Sequence, residues 1–296
     1  MEIVIQYITN ALSVGGTYAL LALGLAIIFG ILGFINFAHG EIMTICGYAL
    51  FYALVSGGLP FWIAVIIGVI TAGAAAVAME RVAFRPLRGA NPMVLLIAGF
   101  ALSGALQTAF LVFLGERPKP VPMPEYFTGA INIGGVYIGV VQLISIIVTV
   151  VAVFSLNLFL KRTKFGISLL AAADNFTIAR LMGIRANAIF SGTFAISGVL
   201  AGIAGVLWLA QRGSVSSTMG FTPLIKAFIA TIIGGMGSLT GAVLGGFLLG
   251  ALEIIFQIIL PSEQLIFRDP IVLFFLIAVL LFRPGGLIQE HKESIR

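Results

Sequence analysis

The chain has 296 residues, of which 60% are hydrophobic and only 9% charged, and its formal net charge is +5. Soluble domains carry roughly 45–50% apolar and about 25% charged residues, so this composition excludes an ordinary soluble globule. The basic residues lie in short loops between apolar runs, which argues against a nucleic-acid-binding face and is typical of membrane orientation signals. A lone cysteine, Cys46, leaves no disulfide framework and no cysteine-rich metal site.

Uncharged apolar runs recur along the whole chain, bounded by charges or by Pro and Gly clusters. They lie near residues 8–34, 40–58, 61–79, 92–114, 137–160, 187–209, 222–236, 239–260 and 270–283. The seventh run ends early at Gly234 and Gly235 and the last run is short, so either is a candidate for a partial or re-entrant helix. We predict a single all-α transmembrane domain over residues 1–296, a bundle of eight or nine spans, with no cleavable signal peptide.

The basic loops predict an orientation. One side of the predicted bundle holds eleven Lys and Arg residues: Arg81, Arg85, Arg88, Lys161, Arg162, Lys164, Arg180, Arg185, Arg283, Lys292 and Arg296. The other side holds five: Arg117, Lys119, Arg212, Lys226 and Arg268. By the positive-inside rule the richer side is cytoplasmic, which places the N-terminus outside and the C-terminus inside and requires an odd number of crossings.

Two patterns bear on how the helices are arranged. Residues 16–19 (GTYA) and 192–195 (GTFA) share a Gly-Thr-aromatic-Ala sequence in segments that run in opposite directions in the predicted topology. The match suggests an inverted repeat, which is common in transporters, but four residues also match easily by chance. Glycines at 198, 202 and 205, and again at 241, 245, 246 and 250, have the spacing of close helix packing within one bundle.

A polar interruption at residues 36–41 (NFAHGE) separates the first two apolar runs. Ionisable groups at membrane depth are costly and usually face a cavity or a partner. The candidate substrate-pathway residues here are Asn36, His39, Gly40 and Glu41. In this interpretation Asn36 caps a helix that begins at Phe37, and the free N–H groups of that half-helix face a substrate carboxylate. In the alternative, the segment is a turn at the cytoplasmic interface with His39 and Glu41 in solvent.

The basic segment at residues 161–186 contains a second candidate. Ala-rich sequence with Asp174 early, Arg180 late and Gly183 as a stop predicts a short helix outside the membrane. Three apolar residues share one face of this helix: Ile178, Leu181 and Met182. Such a helix either docks into a groove on a soluble partner or lies at the lipid boundary, and spacing alone leaves both open.

A glycine-rich break follows at residues 234–241 (GGMGSLTG). It lacks the Lys of a phosphate-binding loop and the spacing of a dinucleotide fingerprint, so we predict no nucleotide site in this chain. Such a break either lines a cavity at membrane depth or forms a plain hairpin turn. Its glycines add three candidates to the substrate pathway: Gly234, Gly235 and Gly237.

No set of residues resembles a catalytic or metal site. The two histidines are His39 and His291, and His39 lacks two further ligands at a suitable spacing. A proton relay would have few parts, Glu41 and Glu253 at most. We therefore predict a protein that is not an enzyme and whose energy comes from elsewhere.

Several motifs in order resemble the Liv-type permeases of bacterial ATP-binding-cassette importers for branched-chain amino acids, in particular the shorter, H-type subunit. The motifs are residues 22–30 (ALGLAIIFG), 36–40 (NFAHG), 80–88 (ERVAFRPLR), 179–184 (ARLMGI), 234–238 (GGMGS) and 283–287 (RPGGL). The resemblance covers essentially the whole chain. One departure is at residues 164–168 (KFGIS), where relatives more often show a Gly-Arg-Ala-like stretch.

The resemblance implies an assembly in the bacterial inner membrane. Its other parts would be a longer, M-type permease subunit, two cytoplasmic ATPase subunits that bind ATP and Mg, and an external or periplasmic substrate-binding protein. This chain would contact membrane lipid and no nucleic acid, and would hold no cofactor. The residues matching the family's coupling helix, which docks on an ATPase subunit, are Ala173, Asp174, Ala179, Arg180, Leu181, Met182 and Gly183.

The expected function is translocation of leucine, isoleucine and valine. Two alternatives stay open: a permease of the same kind for urea or short amides, and an ion-coupled secondary transporter that acts alone. An apolar pathway with few ionisable groups suits aliphatic zwitterions and also suits urea. A membrane-embedded enzyme that uses His39 and Glu41 lacks a third catalytic group.

Overall fold

The computed structural model describes residues 2–133, 136–282 and 286–287, and within them each apolar run folds as a helix. In chain order the helices are α1 (Glu2–Leu32), α2 (His39–Val55), α3 (Phe61–Met79), α4 (Pro92–Leu114), α5 (Glu125–Thr128), α6 (Val140–Arg162), α7 (Lys164–Asp174), α8 (Phe176–Leu181), α9 (Ala186–Arg212), α10 (Phe221–Gly234), α11 (Leu239–Ile259) and α12 (Arg268–Phe282). The predicted polytopic helical bundle is confirmed.

Seven helices in the described part of the chain are long and apolar enough to cross a membrane. They are α1, α3, α4, α6, α9, α11 and, with the 3-10 turn Ser262–Phe267 before it, α12. The other two apolar helices, α2 and α10, have 17 and 14 residues. At 1.5 Å per residue they are about 26 and 21 Å long, shorter than a hydrocarbon core of roughly 30 Å. Of the two runs that are candidates for a partial or re-entrant helix, the one near 222–236 folds as the short α10, and the one near 270–283 is part of the candidate span Ser262–Leu281.

Capping side chains and glycines determine where several helices begin or end. Asn91, Thr163 and Ser238 each accept a hydrogen bond from a backbone N–H in the first turn of the helix that follows, at 2.9, 2.9 and 3.2 Å. Pro92 starts α4, where its missing N–H costs nothing. Gly213 follows α9 with a φ of 71°, a left-handed conformation that ends helices and favours glycine.

The two ends of the bundle differ in structure. The end where α1 begins, the hairpin face, carries β1 (Lys119–Pro120) paired antiparallel with β4 (Ser214–Val215), and the antiparallel hairpin of β2 (Ala130–Ile133) and β3 (Val136–Gly139). The run predicted near 137–160 thus begins as strand, and α6 starts only at Val140, because the first residues of the run pair with β2. The end where α1 stops, the α7–α8 face, carries α7 and α8.

α1 is the central helix and packs on α6, α9, α10 and α11. Gly246 and Gly250 of α11 let the two backbones approach closely, since a Cβ at either would lie 2.4 Å from the Cα of Ala19 or Gly15. α3 packs on α9 through glycines in the same way. The helix-contact spacing read from the sequence therefore corresponds to packing within this bundle.

Candidate functional site

α2 begins inside the bundle. Its first residue, His39, packs on Gly24, where an added Cβ would lie 2.6 Å from His39 Nε2. Gly24 comes eight residues before Leu32, the end of α1, so the contact is about 12 Å deep along α1. Residues 33–38 therefore return from the α7–α8 face into the bundle before α2 starts.

α10 also begins inside the bundle, from the opposite side. Gly220, just before α10, donates its N–H to Thr44 Oγ1 of α2 at 3.1 Å and lies against Gly40. Residues 213–219 lead there from the hairpin face and pack along α2. The first residues of two short helices thus meet inside the bundle, and one helix runs from this junction to each face.

Asn36 shapes the turn before α2. Its Oδ1 accepts the N–H of Ala38 at 2.9 Å, as asparagine commonly does with the backbone two residues on. The helix begins at His39, so the predicted start at Phe37 is wrong by two residues. The N–H groups of Ala38 and His39 both donate to Asn36, so these two groups are not free to face a substrate.

His39 is fixed by α9 and α1. Its Nδ1 lies 3.2 Å from Ser197 Oγ, and that hydroxyl donates at 2.9 Å to the carbonyl oxygen of Gly24. Because the hydroxyl has only one proton, a neutral His39 ring donates from Nδ1 and leaves Nε2 unprotonated. His39 and Glu41 are both fully buried, so the alternative that places them in solvent is wrong.

Glu41 joins α2 to α4. Its Oε1 accepts hydrogen bonds from Ser103 Oγ at 3.0 Å and Gln107 Nε2 at 2.8 Å. The ion pairs among the described residues do not include Glu41, so the partners of its Oε1 in this part of the chain are neutral side chains. The neighbouring loop residue Phe37 stacks on Phe100 of α4 with ring centres 3.9 Å apart. A carboxyl group that is buried in an apolar bundle among neutral hydrogen-bond donors is a candidate for a functional site.

The glycine-rich break is a tightly packed turn between α10 and α11 at the α7–α8 face. Gly235 and Gly237 have φ values of 110° and 95°, which L side chains rarely adopt. A Cβ at Gly234 would lie 2.0 Å from the carbonyl oxygen of Gly241. Of the two interpretations offered by the sequence, the contacts are those of a hairpin turn.

The structure places the pathway candidates in two separate groups. Gly237 lies against Gly30, near the end of α1, about 9 Å along α1 from the Gly24 contact of His39. Leu287 donates its N–H to the carbonyl oxygen of Ile233 at 2.6 Å, so the last sequence motif packs on the same turn. Residues 283–285 of that motif lie outside the described residues.

A buried charge cluster links α1, α10, α11 and α12. Lys226 Nζ lies 2.6 Å from Glu253 Oε1 and 2.9 Å from Asp269 Oδ2. The Tyr18 hydroxyl lies 3.1 Å from both oxygens of Glu253, and Arg268 pairs with Asp269 at 2.9 Å. Lys226 and Glu253 are each only 4% exposed, so these opposite charges compensate one another within the bundle.

The placement of Lys226 in an external loop is wrong, because Lys226 lies in α10. An apolar helix can contain a charged side chain when a partner of opposite charge neutralises it. Glu253 on the next helix, α11, is that partner for Lys226. The sequence contained a signal for this pair, namely one Lys and one Glu in consecutive apolar runs. Lys226 therefore no longer counts toward the basic residues of the hairpin face.

A polar cavity of about 420 Å³ opens at the hairpin face, and sequence reasoning missed it. Its polar side chains are Asn10, Ser13, Gln142 and Gln211. Gln211 Nε2 donates to Ser13 Oγ at 3.2 Å and to Ser145 Oγ at 3.4 Å, which ties α9 to α1 and α6. The available signal was the helical spacing of Gln142, Ser145 and Thr149 in an apolar run.

The predicted cytoplasmic helix folds as two helices, α7 and α8, with a break at Asn175. Asp174, expected near the start of the helix, is the last residue of α7, and Ala173 precedes it. The Asn175 Oδ1 accepts the N–H of Ile178 at 3.0 Å. Because this is an N-cap bond, it ends one helix and starts another.

α8 presents an apolar surface at the α7–α8 face. The exposed fractions of Ile178, Leu181 and Met182 are 57, 83 and 79%. Ala179 is buried beneath them and Arg180 is exposed. Gly183 follows with a φ of 84°. The shared apolar face is as predicted, and exposed apolar surface of this kind marks contact with a partner or with lipid.

These features define a class of protein. Short helices that start inside an apolar bundle and a buried charge cluster are features of multi-pass membrane transport proteins. In the ranges that the structure describes, no group of three or more His, Cys, Asp and Glu side chains could hold a metal ion.

Comparison with known proteins agrees with this class. Residues 7–282 match the family described as branched-chain amino acid transport system, permease component. The chain is 37% identical over 299 residues to the high-affinity branched-chain amino acid transport system permease protein BraD of Pseudomonas aeruginosa, covering 97% of this chain and 96% of BraD. It is 34% identical over 301 residues to the corresponding protein LivH of Escherichia coli K12, with coverage of 97% and 96%.

A more distant similarity covers half of the chain. The autoinducer 2 import system permease protein LsrC of Yersinia pseudotuberculosis is 32% identical over 155 residues, 50% of this chain and 43% of LsrC. The chain belongs to the family of branched-chain amino acid transport permeases. The resemblance noted from the motifs is confirmed, and these relatives are named as transport permeases.

Proposed function

We propose that this chain is a permease subunit of an ATP-binding-cassette importer that moves leucine, isoleucine and valine across a bacterial inner membrane. The observation that carries the proposal is the exposed apolar face of α8, on a chain without a nucleotide-binding motif. Its relatives BraD and LivH are named for branched-chain amino acid transport. In this proposal the chain holds no cofactor, and ATP and Mg are bound by separate ATPase subunits.

We place the α7–α8 face in the cytoplasm. With Lys226 buried in α10, the basic residues of the hairpin face are Arg117, Lys119, Arg212 and Arg268. Eight of the eleven basic residues predicted for the opposite face lie in the described part of the chain, and the other three, Arg283, Lys292 and Arg296, lie outside it. Eight against four supports an external N-terminus and a cytoplasmic C-terminus by the positive-inside rule.

α8 is the docking helix for an ATPase subunit in this proposal. Its apolar side chains would enter a groove on the ATPase, as amphipathic helices commonly do. The coupling residues are Ala173, Asp174, Ala179, Arg180, Leu181, Met182 and Gly183. Closure of two ATPase subunits on ATP would then move this segment and switch the access of the pathway.

Two further partners belong to the proposal. A substrate-binding protein delivers the amino acid at the hairpin face, where the polar cavity near Gln211 opens. A second, M-type permease completes a heterodimer in the membrane. This part of the proposal is supported by family membership and by the strongly exposed apolar side chains of α4, such as Val112 and Phe113.

We infer that α1–α3 and α9–α11 form an inverted repeat. α1 and α9 share the Gly-Thr-aromatic-Ala sequence, and each is followed by a non-helical segment, a short helix and a long helix. α11 packs on α1 as α3 packs on α9, and Gly40 meets Gly220 where the short helices start. The pathway would pass the junction at Asn36, His39 and Glu41, because inverted repeats move relative to one another about such a site.

The cytoplasmic end of the proposed pathway lies at the turn of Gly234, Gly235 and Gly237. The close packing of this turn supports the proposal that it closes the cytoplasmic end. Opening would separate this turn from the end of α1 at Gly30.

A substrate competition experiment tests the proposal. The chain is reconstituted in proteoliposomes with an M-type permease, two ATPase subunits and a binding protein of the same importer family, and uptake of radiolabelled leucine is measured. We expect isoleucine and valine to compete, and urea and acetamide to have no effect. Uptake of urea without uptake of leucine would favour the short-amide alternative. Ion-driven uptake by this chain alone would establish a secondary transporter instead.

A further inference from the structure

The motif at residues 80–88 is placed at the α7–α8 face by the fold, and the proposed function gives it no role. It follows α3 directly, as the π-helical turn Glu80–Phe84 and the 3-10 turn Arg85–Leu87. Arg88 ends the motif, and its guanidinium donates to the Glu80 carboxylate and to Asn187 Oδ1 of α9. The motif therefore connects the end of α3 to the start of α9.

Glu80 is the buried end of this connection. Its side chain is fully buried, and Arg88 pairs with one carboxylate oxygen. The other oxygen accepts a hydrogen bond from Ser191 Oγ of α9 at 2.8 Å. Because a buried carboxylate is costly without such partners, Glu80 holds the Arg88 guanidinium in one place.

The other side of the Arg88 guanidinium faces the ring of Phe190, a residue of α9. The guanidinium carbon lies 4.0 Å from the centre of the Phe190 ring, within the range of a cation–π contact. Phe190 in turn meets Phe176, the first residue of α8, edge to face with ring centres 5.5 Å apart. Arg88 thus contacts Glu80 at the end of α3 and two residues of α9, Asn187 and Phe190, and the Phe190 ring is the one against which the first residue of α8 packs.

Only arginine can make these three contacts, with Glu80, Asn187 and Phe190, at the same time. A guanidinium is planar and forked, so it can donate to Glu80 and Asn187 while its flat face lies on Phe190. A lysine at this position would keep the charge but would not bridge the two acceptors and the ring together.

We propose that Arg88 is a positioning residue that fixes α8 to α3 and α9, so that a displacement of α8 by a docked ATPase moves α3 and α9 with it. α3 and α9 form one rigid pair, because Gly198 and Gly202 bring their backbones into contact. This inference rests on the proposed function, in which α8 is the docking helix. It adds the route by which motion at α8 reaches the membrane part of the chain.

A distance measurement tests the positioning directly and needs no substrate. Spin labels are attached to cysteines at Thr177 of α8 and Val82 after α3, both of which are exposed, in a Cys46→Ala background that removes the one native cysteine. Double electron–electron resonance on the full chain should give one narrow distance. We expect Arg88→Ala to broaden it clearly and Arg88→Lys to broaden it less.

The matched control is Arg85→Ala, because Arg85 is an exposed arginine in the same motif. It should leave the distance unchanged. A distance distribution for Arg88→Ala that matches that of the parent protein would overturn the inference.

A transport measurement tests the consequence. In the assembled importer, Arg88→Ala should retain bound ATPase subunits and basal ATP hydrolysis while leucine uptake per ATP falls at least tenfold. Phe190→Leu keeps the Glu80 pair and should lower the ratio in the same direction. Loss of uptake only in proportion to lost assembly would show a structural role and overturn the inference. Failure of the unmodified importer to take up leucine would instead count against the proposed function.

Discussion

Gly40 and Gly220 lie backbone to backbone inside the bundle, each beside the first turn of a short helix. A Cβ on Gly220 would lie 1.9 Å from the carbonyl oxygen of Gly40, and a Cβ on Gly40 would lie 2.4 Å from the carbonyl oxygen of Gly220. The contact is reciprocal, because each glycine lies against the carbonyl oxygen of the other. Neither position has room for any side chain.

Gly220→Ala should therefore destabilise the protein. The added methyl group would force α2 and α10 apart, and overpacking of this kind costs about 1–3 kcal/mol or more. Thermal unfolding in detergent measures the change. The control is Gly104→Ala on α4, where an added Cβ meets nothing within 4 Å and should stabilise the helix by about 0.5–1 kcal/mol. Equal melting temperatures for Gly220→Ala and the unmodified protein would contradict this view of the junction.

Lys226→Met should lower the stability of the protein more than removal of both Lys226 and Glu253. The single change leaves Glu253 buried without its cation, which costs about 3–5 kcal/mol. The double change Lys226→Met with Glu253→Gln removes both charges, leaves Asp269 paired with Arg268, and should recover most of the stability. A double-mutant cycle on the free energy of unfolding measures the coupling, with Arg117→Met as an exposed control. Additive effects of the two changes would argue against the pair.

Arg180→Glu and Leu181→Asp should uncouple transport without unfolding the permease. Both side chains are exposed, so the substitutions disturb no core packing, but each places a negative charge on the face proposed to dock. We expect leucine uptake to fall at least tenfold while the variant protein stays folded by circular dichroism. Leu181→Met keeps the apolar face and should transport normally. Unchanged uptake in both charged variants would refute the assignment of α8.

Glu41→Gln separates a role in transport from a role in packing. Glutamine keeps an acceptor for Ser103 while it removes the ionisable carboxyl group from the proposed pathway. We expect near-normal stability with a large loss of leucine uptake at low substrate concentration. Ser103→Ala removes the hydrogen bond to Glu41 and the one that Ser103 accepts from Gln107 but keeps the Glu41 carboxyl group, so it should cost about 0.5–1.5 kcal/mol in stability for each bond and affect uptake less. Normal uptake by Glu41→Gln would leave Glu41 as a link between α2 and α4 only.

The bundle could be predicted from the sequence because membrane helices are specified locally. A run of apolar residues must form a helix in lipid to satisfy its own backbone, and each predicted run does so over most of its length in the described residues, although the run near 137–160 begins as strand. The break at Asn175 was also a local signal, since asparagine is a strong N-cap, but the Ala-rich sequence before it suggested one helix.

The depth of the junction could not be predicted, because it depends on contacts between residues far apart in the chain. Nothing near Gly40 in the sequence indicates that it meets Gly220, or that His39 packs on Gly24. The same holds for Lys226, whose partner Glu253 lies on another helix. The sequence thus identified Asn36, His39 and Glu41 as unusual, but their burial and their partners follow only from the tertiary structure.

In the proposed function, this chain transmits work done by separate ATPase subunits through α8. The most direct test of this coupling is leucine accumulation against its gradient in proteoliposomes, with and without those subunits and ATP. We expect accumulation only when both are present, and its loss when Leu181→Asp is introduced into an otherwise complete assembly. Accumulation of leucine by this chain in the absence of any ATP-hydrolysing subunit would contradict it.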